Sequence, residues 1–288
     1  MADIAIFYFS GTGNTALIMN LFKREFDSYS WKVTPFAIDR NLIETSLNSV
    51  TDYDLIGLGY PIHAFNAPEI VFDFINRLPD GKGTKLFTFK CPGDPLFQAG
   101  STHLVRNALT KKNYNVFHES LIVGPSNVAI RFDDRLTRQL YIAAQQKIKI
   151  LVEEIINNTT RLQQNGWLLR SFTKLFSDGE TWGARQFGRQ IKIAPTCNKC
   201  LKCTHICPQR NISVVNGSLQ FGNQCIMCMR CIYSCPESSI IPGFSRFIKI
   251  KNWDSFENIG RNESVLPDFV SSKTKGYFRH YQKYFEDI

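Results

Sequence analysis

Five short apolar runs, each bounded by polar or turn-forming residues, punctuate the first 125 residues of the chain. They predict strands at Asp3–Phe9, Trp31–Ala37, Leu55–Tyr60, Lys85–Phe89 and Val116–Val123. Helical stretches begin between them, near Thr15, Pro68 and Gly100. Strand–helix alternation of this kind predicts an α/β fold, a doubly wound parallel sheet with helices on both faces. A longer helical pattern over Arg135–Asn157 sets Leu136, Leu140, Ala143, Ala144, Ile148, Leu151, Val152 and Ile155 mostly three or four apart, and it can close the fifth unit.

The periodicity weakens from Thr159 to Ala194. Trp167, Phe172, Phe176, Trp182 and Phe187 lie there among Arg and Lys, which suits a connector whose aromatics are buried between domains; a lid or a membrane-surface helix is the alternative. An internal repeat follows at an offset of 28 residues: CNKCLKCTHICPQRNI from Cys197 and CIMCMRCIYSCPESSI from Cys225. The segment between them, Ser213 to Gln220, reads as a hairpin with an Asn-Gly turn. The chain thus divides into a first domain over 1–160, a connector over 161–194, a small cysteine domain over 195–242 and a polar, aromatic, basic tail over 243–288 with no assignable chemistry.

Composition changes this picture in two places. A hydrophobic fraction of 43% in 288 residues suits a globular core, while no apolar run approaches the about 20 residues a membrane helix needs. The amino-terminal residues lack the basic and apolar regions of a secretory signal, so a cytoplasmic protein without a transmembrane segment is expected. The net charge of +9 is lopsided: residues 161–288 carry 18 Lys and Arg against 9 Asp and Glu, while the rest balances. Nucleic-acid binding is one use of a basic half, but no groove-reading motif accompanies it and no nucleic-acid partner is expected.

The cysteines offer another use. Eight of the nine fall between Cys197 and Cys235, and Cys91 stands apart. Each cluster reads C-x2-C-x2-C-x3-C-P, in which three thiolates wrap one iron–sulfur cubane and the fourth, before Pro, ligates the other. Cys197, Cys200, Cys203 and Cys235 are therefore expected to hold one [4Fe–4S] cluster, and Cys225, Cys228, Cys231 and Cys207 the second. Zinc, also held by paired C-x2-C units, does not need a third Cys at that spacing twice over. Eight thiolates fill eight positions, which leaves His205 a surface or packing residue. Two clusters at a formal charge of about −2 each would offset part of the basic excess.

Between the first strand and first helix lies Phe9-Ser10-Gly11-Thr12-Gly13-Asn14-Thr15. A Walker loop is excluded by the missing Lys. Gly11-x-Gly13-x-x-Ala16 matches a dinucleotide fingerprint, but Trp31 and Lys32 stand where its acidic residue is expected, and Asp39 comes late. The side chains favour a third use: Ser10, Thr12, Asn14 and Thr15 can donate to a terminal phosphate, with Gly11 and Gly13 admitting close approach and the helix start supplying N–H groups. A helix cap would need only one such residue.

A phosphate held by neutral donors after a first strand resembles the flavodoxin family, and the whole chain is similar to flavodoxin–ferredoxin fusions, whose second half is a bacterial-type two-cluster ferredoxin. The resemblance implies a flavodoxin-like sheet, FMN on Ser10, Gly11, Thr12, Gly13, Asn14 and Thr15, and a flavin ring between two loops. Tyr60, Pro61, His63, Phe65 and Asn66 belong to the first ring loop; Pro92, Gly93 and Asp94 belong to the second. Tyr60, Phe65 and Phe97 are candidates to stack on the ring, His63 and Asp94 to tune its nitrogens, and Cys91 to face it. One departure stands out: ferredoxins usually place Gly after the second Cys, where this chain has Leu201 and Met229.

The implied function is an electron-transfer flavoprotein or oxidoreductase linking two [4Fe–4S] clusters and FMN. Its expected partner is an acidic ferredoxin- or flavodoxin-type protein rather than a pyridine nucleotide, since no second Gly-rich strand–helix turn exists. The alternatives are a redox- or oxygen-sensing binding protein, or an assembly factor, with a vestigial flavin domain.

Overall fold

In a computed structural model, which describes residues 2–39, 47, 49–63, 65–96, 99–164, 179 and 181–288, the five expected strands form one sheet. They are β1 (Asp3–Tyr8), β2 (Lys32–Ala37), β3 (Leu55–Pro61), β4 (Lys85–Cys91) and β5 (Asn115–Leu121), ordered β2-β1-β3-β4-β5 with every neighbouring pair parallel. That is the flavodoxin-like order, and it places the topological switch between β1 and β3, where ligand crevices form at the carboxyl ends. Burial explains the ranking of the strands. All of β3 but its last residue is buried, as a central parallel strand requires, whereas β2 alternates and tolerates Pro35 because it lies at the edge.

Helices α1 (Asn14–Ser28) and α4 (Asp134–Ile156) cover one face of the sheet, and α2 (Glu69–Arg77) and α3 (Ala99–Thr110) the other. All eight apolar positions that predicted α4 are buried, and the Asp133 carboxylate caps it by accepting from the Arg135 N–H at 2.9 Å. The connector behaves unevenly. Phe187, on a helix over 181–189, is buried as expected, but Trp182 is 68% exposed, so its ring is not part of a domain boundary. Trp167, Phe172 and Phe176 lie outside the described residues.

The cysteine repeat is also a structural repeat. Short strands β6 (Lys192–Ile193) and β9 (Ile240–Ile241) pair antiparallel at its two ends, and β7 (Ile212–Val215) and β8 (Ser218–Phe221) form the expected hairpin. Its turn holds Asn216 at φ 51° and Gly217 at φ 72°, the doubly left-handed geometry that Asn-Gly favours. Left-handed backbone recurs at Lys199, Leu201 and Arg210 (φ 57°, 57° and 49°) and at the equivalent Met227, Met229 and Ser238 (φ 49°, 61° and 50°). Leu201 and Met229 therefore adopt the conformation for which Gly is usual, at a cost of roughly 1 kcal/mol each.

The tail returns to the first domain. Phe256, Tyr281 and Tyr284 join the core packed under α1 and α4, and the Tyr284 hydroxyl accepts from the Val123 N–H at 3.0 Å. Among the described residues, no helix is long and apolar enough to cross a membrane.

Candidate functional site

A cavity of about 130 Å³ opens at the carboxyl ends of β1, β3, β4 and β5. Its walls are Ser10–Thr12, Asn14 and Thr15 from the first loop, Pro61–His63, Cys91 with Gly93, Pro125–Val128, and Met227–Met229 from the cysteine region. Gly13, at φ 107°, turns the chain into α1. The Ser10 hydroxyl accepts from the Gly13 and Ala16 N–H groups, both at 3.2 Å, and so fixes the loop while keeping its own proton to donate. Thr15 is buried at the cavity wall. Asn14 is engaged by protein groups instead. Its amide donates to the Pro125 carbonyl at 2.9 Å and to Asn127 Oδ1 at 3.3 Å, tying the first loop to the one after β5. Thr12 Oγ1 is buried with no hydrogen-bond partner among the described residues. A buried orphan hydroxyl is costly, and it lines the cavity where a phosphate would be held.

The ring loops divide differently. Pro61, His63 and Gly93 line the cavity. Enclosure pushes the His63 imidazole down to about 4, against a smaller upward pull from its hydrogen bond to the Ile226 backbone, which leaves the ring neutral. His63 and Asn66 exchange backbone hydrogen bonds of 2.8 Å around a tight turn, which holds Phe65 at φ 73°; neither Phe65 nor Asn66 lines the cavity. Tyr60 cannot stack on a ring there. It is wholly inside the core, because β3 is covered on both faces.

Pro92 is buried beneath the second loop, its carbonyl accepting from the Gly124 N–H at 3.0 Å. Asp94 is held by the tail instead of facing the cavity: Tyr277 donates to its carboxylate at 2.7 Å and His280 lies 2.9 Å from it. Tyr281 adds a 2.6 Å bond to the Gly93 carbonyl. Phe97 lies outside the described residues. Cys91 lines the cavity as a buried thiol, pushed up to about 12 by desolvation, and so is not a ready nucleophile.

The eight remaining cysteines ring two further cavities. Cys197, Cys200, Cys203 and Cys235 share one, while Cys207, Cys225, Cys228 and Cys231 share the other. These are the two quartets read from the spacing, each with its fourth Cys crossed over. Backbone N–H groups reach the crossing sulfurs in matched pairs: Asn211 to Cys207 and Ser239 to Cys235, both at 3.3 Å. Burial raises the pKa of Cys225 to about 12 and holds that of Cys231 well above the ordinary thiol range, so a compensating cation is what would favour their thiolates. Among the described residues no three His, Cys, Asp or Glu side chains converge on a point that would hold one metal ion.

The second quartet abuts the first cavity. Cys228 lines both. A Cβ on Gly11 would stand 2.5 Å from the Cys228 carbonyl oxygen, so the phosphate-type loop and the cysteine loop meet where only glycine fits. Gly188, on the connector helix, abuts Cys225 with similar closeness. Arg230 clasps the junction, donating to the carbonyls of Ser10 (2.5 Å), Gly11 (3.2 Å) and Ile206 (3.1 Å), with its guanidinium 5.9 Å from the Phe9 ring centre. Sequence reasoning missed Arg230, Met227 and the Pro125–Val128 loop. Arg230 left one signal, a basic residue at the repeat position that Lys202 occupies in the other half. Asp39 also reads differently in space: β2 ends at Ala37, so Asp39 stands two residues past the strand, near the position a dinucleotide acid occupies.

No family profile matches the chain, and no curated protein is significantly similar to it. Solved structures similar to part of it include a short-chain flavodoxin associated with a non-canonical PDU bacterial microcompartment, at 15% identity over 56% of this chain and 100% of that one, TM-score 0.42. The two-electron reduced flavodoxin of Megasphaera elsdenii matches at 21% identity over 42% of this chain and 85% of that one, TM-score 0.35. The rubredoxin oxygen:oxidoreductase of Desulfovibrio gigas matches at 14% identity over 54% of this chain and 35% of that one, TM-score 0.41.

Proposed function

We propose that the chain is an electron-transfer flavoprotein in which FMN, held on Ser10–Thr15, exchanges electrons with two [4Fe–4S] clusters. The observation that carries this is the double position of Cys228, at once a wall of the phosphate-loop cavity and a member of a thiol quartet. When bound, clusters supply single electrons and a flavin accepts one or two, the cofactors carrying the chemistry.

The residues supply hold and shelter. Thr12 Oγ1, orphaned otherwise, donates to the phosphate, and Gly11 admits the cysteine loop to contact. Met227, Met229 and Cys91 keep water from the cavity wall they form. The Asn211, Met227 and Ser239 N–H groups donate to cysteine sulfurs at 3.3 to 3.4 Å, which favours the thiolate form. Ligands of a cubane each bind a different iron and stand further apart than ligands that share one ion. The third Cys at the same short spacing in both repeats is what a cluster uses and zinc does not need.

Anaerobically prepared protein should contain about eight iron and eight acid-labile sulfide per chain, with one FMN. Two zinc ions and no iron would remove the cluster assignment. Changing Thr12 and Thr15 together to Val should weaken FMN, each lost bond to a charged acceptor costing roughly 1.5–3 kcal/mol, and leave riboflavin affinity unchanged.

One observation favours a second reading, a dinucleotide flavin. Asp39 follows β2, and a second cavity on that side of the loop is lined by Tyr8, Ala37, Ile38, Arg230, Tyr233 and Trp253. FAD binding tighter than FMN would select it.

A further inference from the structure

The three residues Cys228, Met229 and Arg230 have repeat partners in Cys200, Leu201 and Lys202, with the same left-handed backbone at the middle position. The environments are opposite. Met229 is 2% exposed and lines the phosphate-loop cavity, while Leu201 is 36% exposed. Arg230 grips carbonyls of the first domain, while Lys202 and its neighbour Lys199 face solvent. Cys200 is the one exposed thiol of the eight.

We propose that the face carrying Lys199, Leu201 and Lys202 is the docking surface for a second, separate electron-carrier protein with an acidic rim. This rests on the cluster reading of Cys197, Cys200, Cys203 and Cys235. The molecule's own junction is the template: at Met229 the repeat presents an apolar side chain, a ligand beside it and a cation that clasps the docked surface. The other half presents the same three features to solvent. Leu201 lines the thiol cavity and leaves about a third of its apolar side chain, 36%, in solvent on a left-handed backbone, so an apolar spot stands between the two lysines and beside the exposed Cys200.

Charge chooses the partner. Lys199 and Lys202 are both exposed, and with Glu237, which accepts from the Asn198 amide at 3.2 Å and keeps its charge, these three residues sum to +1. A carboxylate-rimmed carrier is attracted, and a basic one is repelled.

The test uses the anaerobic holoprotein and a small acidic two-cluster ferredoxin as probe. Zero-length carbodiimide coupling, which joins amines to carboxylates, should map to Lys199 and Lys202. Calorimetric affinity should fall at least about tenfold for Lys199→Glu with Lys202→Glu, and should fall with salt in the parent protein. Lys273→Glu with Lys275→Glu, exposed on the tail, should stay within about twofold. Coupling at other lysines, or equal losses from the two pairs, overturns the docking surface. Iron and flavin content of the same samples separates the two layers. Clusters present with affinity unmoved by the Lys199 and Lys202 reversal removes the docking surface alone; clusters absent from the parent protein removes the underlying reading, and the docking surface with it.

Discussion

The two halves of the cysteine repeat share spacing, backbone and sulfur hydrogen bonds, yet one is enclosed and the other open. The Cys225 half is covered by the connector helix at Gly188 and by the first domain at Gly11, with Arg230 fastening the junction. The Cys200 half is bounded by Leu201, Lys202, Leu219, Pro236 and Glu237, most of them exposed. A near-symmetric unit has thus been made directional by what was placed against it. Its cysteines did not need to change.

The largest test of that asymmetry is to unfasten it. Arg230→Ala removes three charge-assisted, partly buried bonds, two of them to first-domain carbonyls, each worth roughly 1.5–3 kcal/mol and not additive. FMN affinity should fall about a hundredfold. Lys202→Ala, its repeat partner, should leave it within about twofold. Equal effects in a flavin-quenching titration would abolish the distinction.

A smaller effect is expected where the surfaces meet. Gly11→Ala forces a methyl onto the Cys228 carbonyl, an overpacking worth about 1–3 kcal/mol. Denaturation monitored separately by cluster absorbance and flavin fluorescence should show the two transitions coming apart, while iron content stays at the parent value. A single coincident transition would show that the junction yields without loss.

The smallest effect is at the left-handed pair. Leu201→Gly should change stability by less than about 1 kcal/mol in either direction, since relief of φ strain offsets the loss of a partly covered side chain. The same change at Met229 should be net destabilising, because a buried side chain goes with the strain. Thermal unfolding under anaerobic conditions would check the pair, and identical shifts would contradict the difference in enclosure.

What could be read from the chain followed its local regularities. The apolar runs located five strands to within two residues at each end, because that signal is periodic and short-ranged. The spacing of the cysteines marked three neighbours in each repeat, while the exchange of the fourth came from the two-cluster arrangement and not from local spacing. Arg230 was not legible, since its partners Ser10 and Gly11 lie some 220 residues away and are backbone carbonyls that carry no side-chain signature. The flavodoxin resemblance made Tyr60 a stacking candidate by placing its loop beside the ring, but a central strand buries both of its faces. The tail was opaque for a related reason. Its helices are one or two turns long, too short to show a period, yet Tyr277, His280 and Tyr281 brace the second ring loop through Asp94 and Gly93.

Whether the phosphate-loop cavity holds the proposed flavin against one thiol quartet and away from the other is decided by magnetic relaxation. In reconstituted, half-reduced protein the flavin radical signal should relax fast beside a paramagnetic cluster, because dipolar coupling falls steeply with distance. Cys200→Ser, which removes a thiol from the open quartet, should keep the fast relaxation. Cys228→Ser should slow it markedly at unchanged flavin content. Slow relaxation in the parent protein, or fast relaxation lost on changing Cys200 and kept on changing Cys228, would contradict this arrangement.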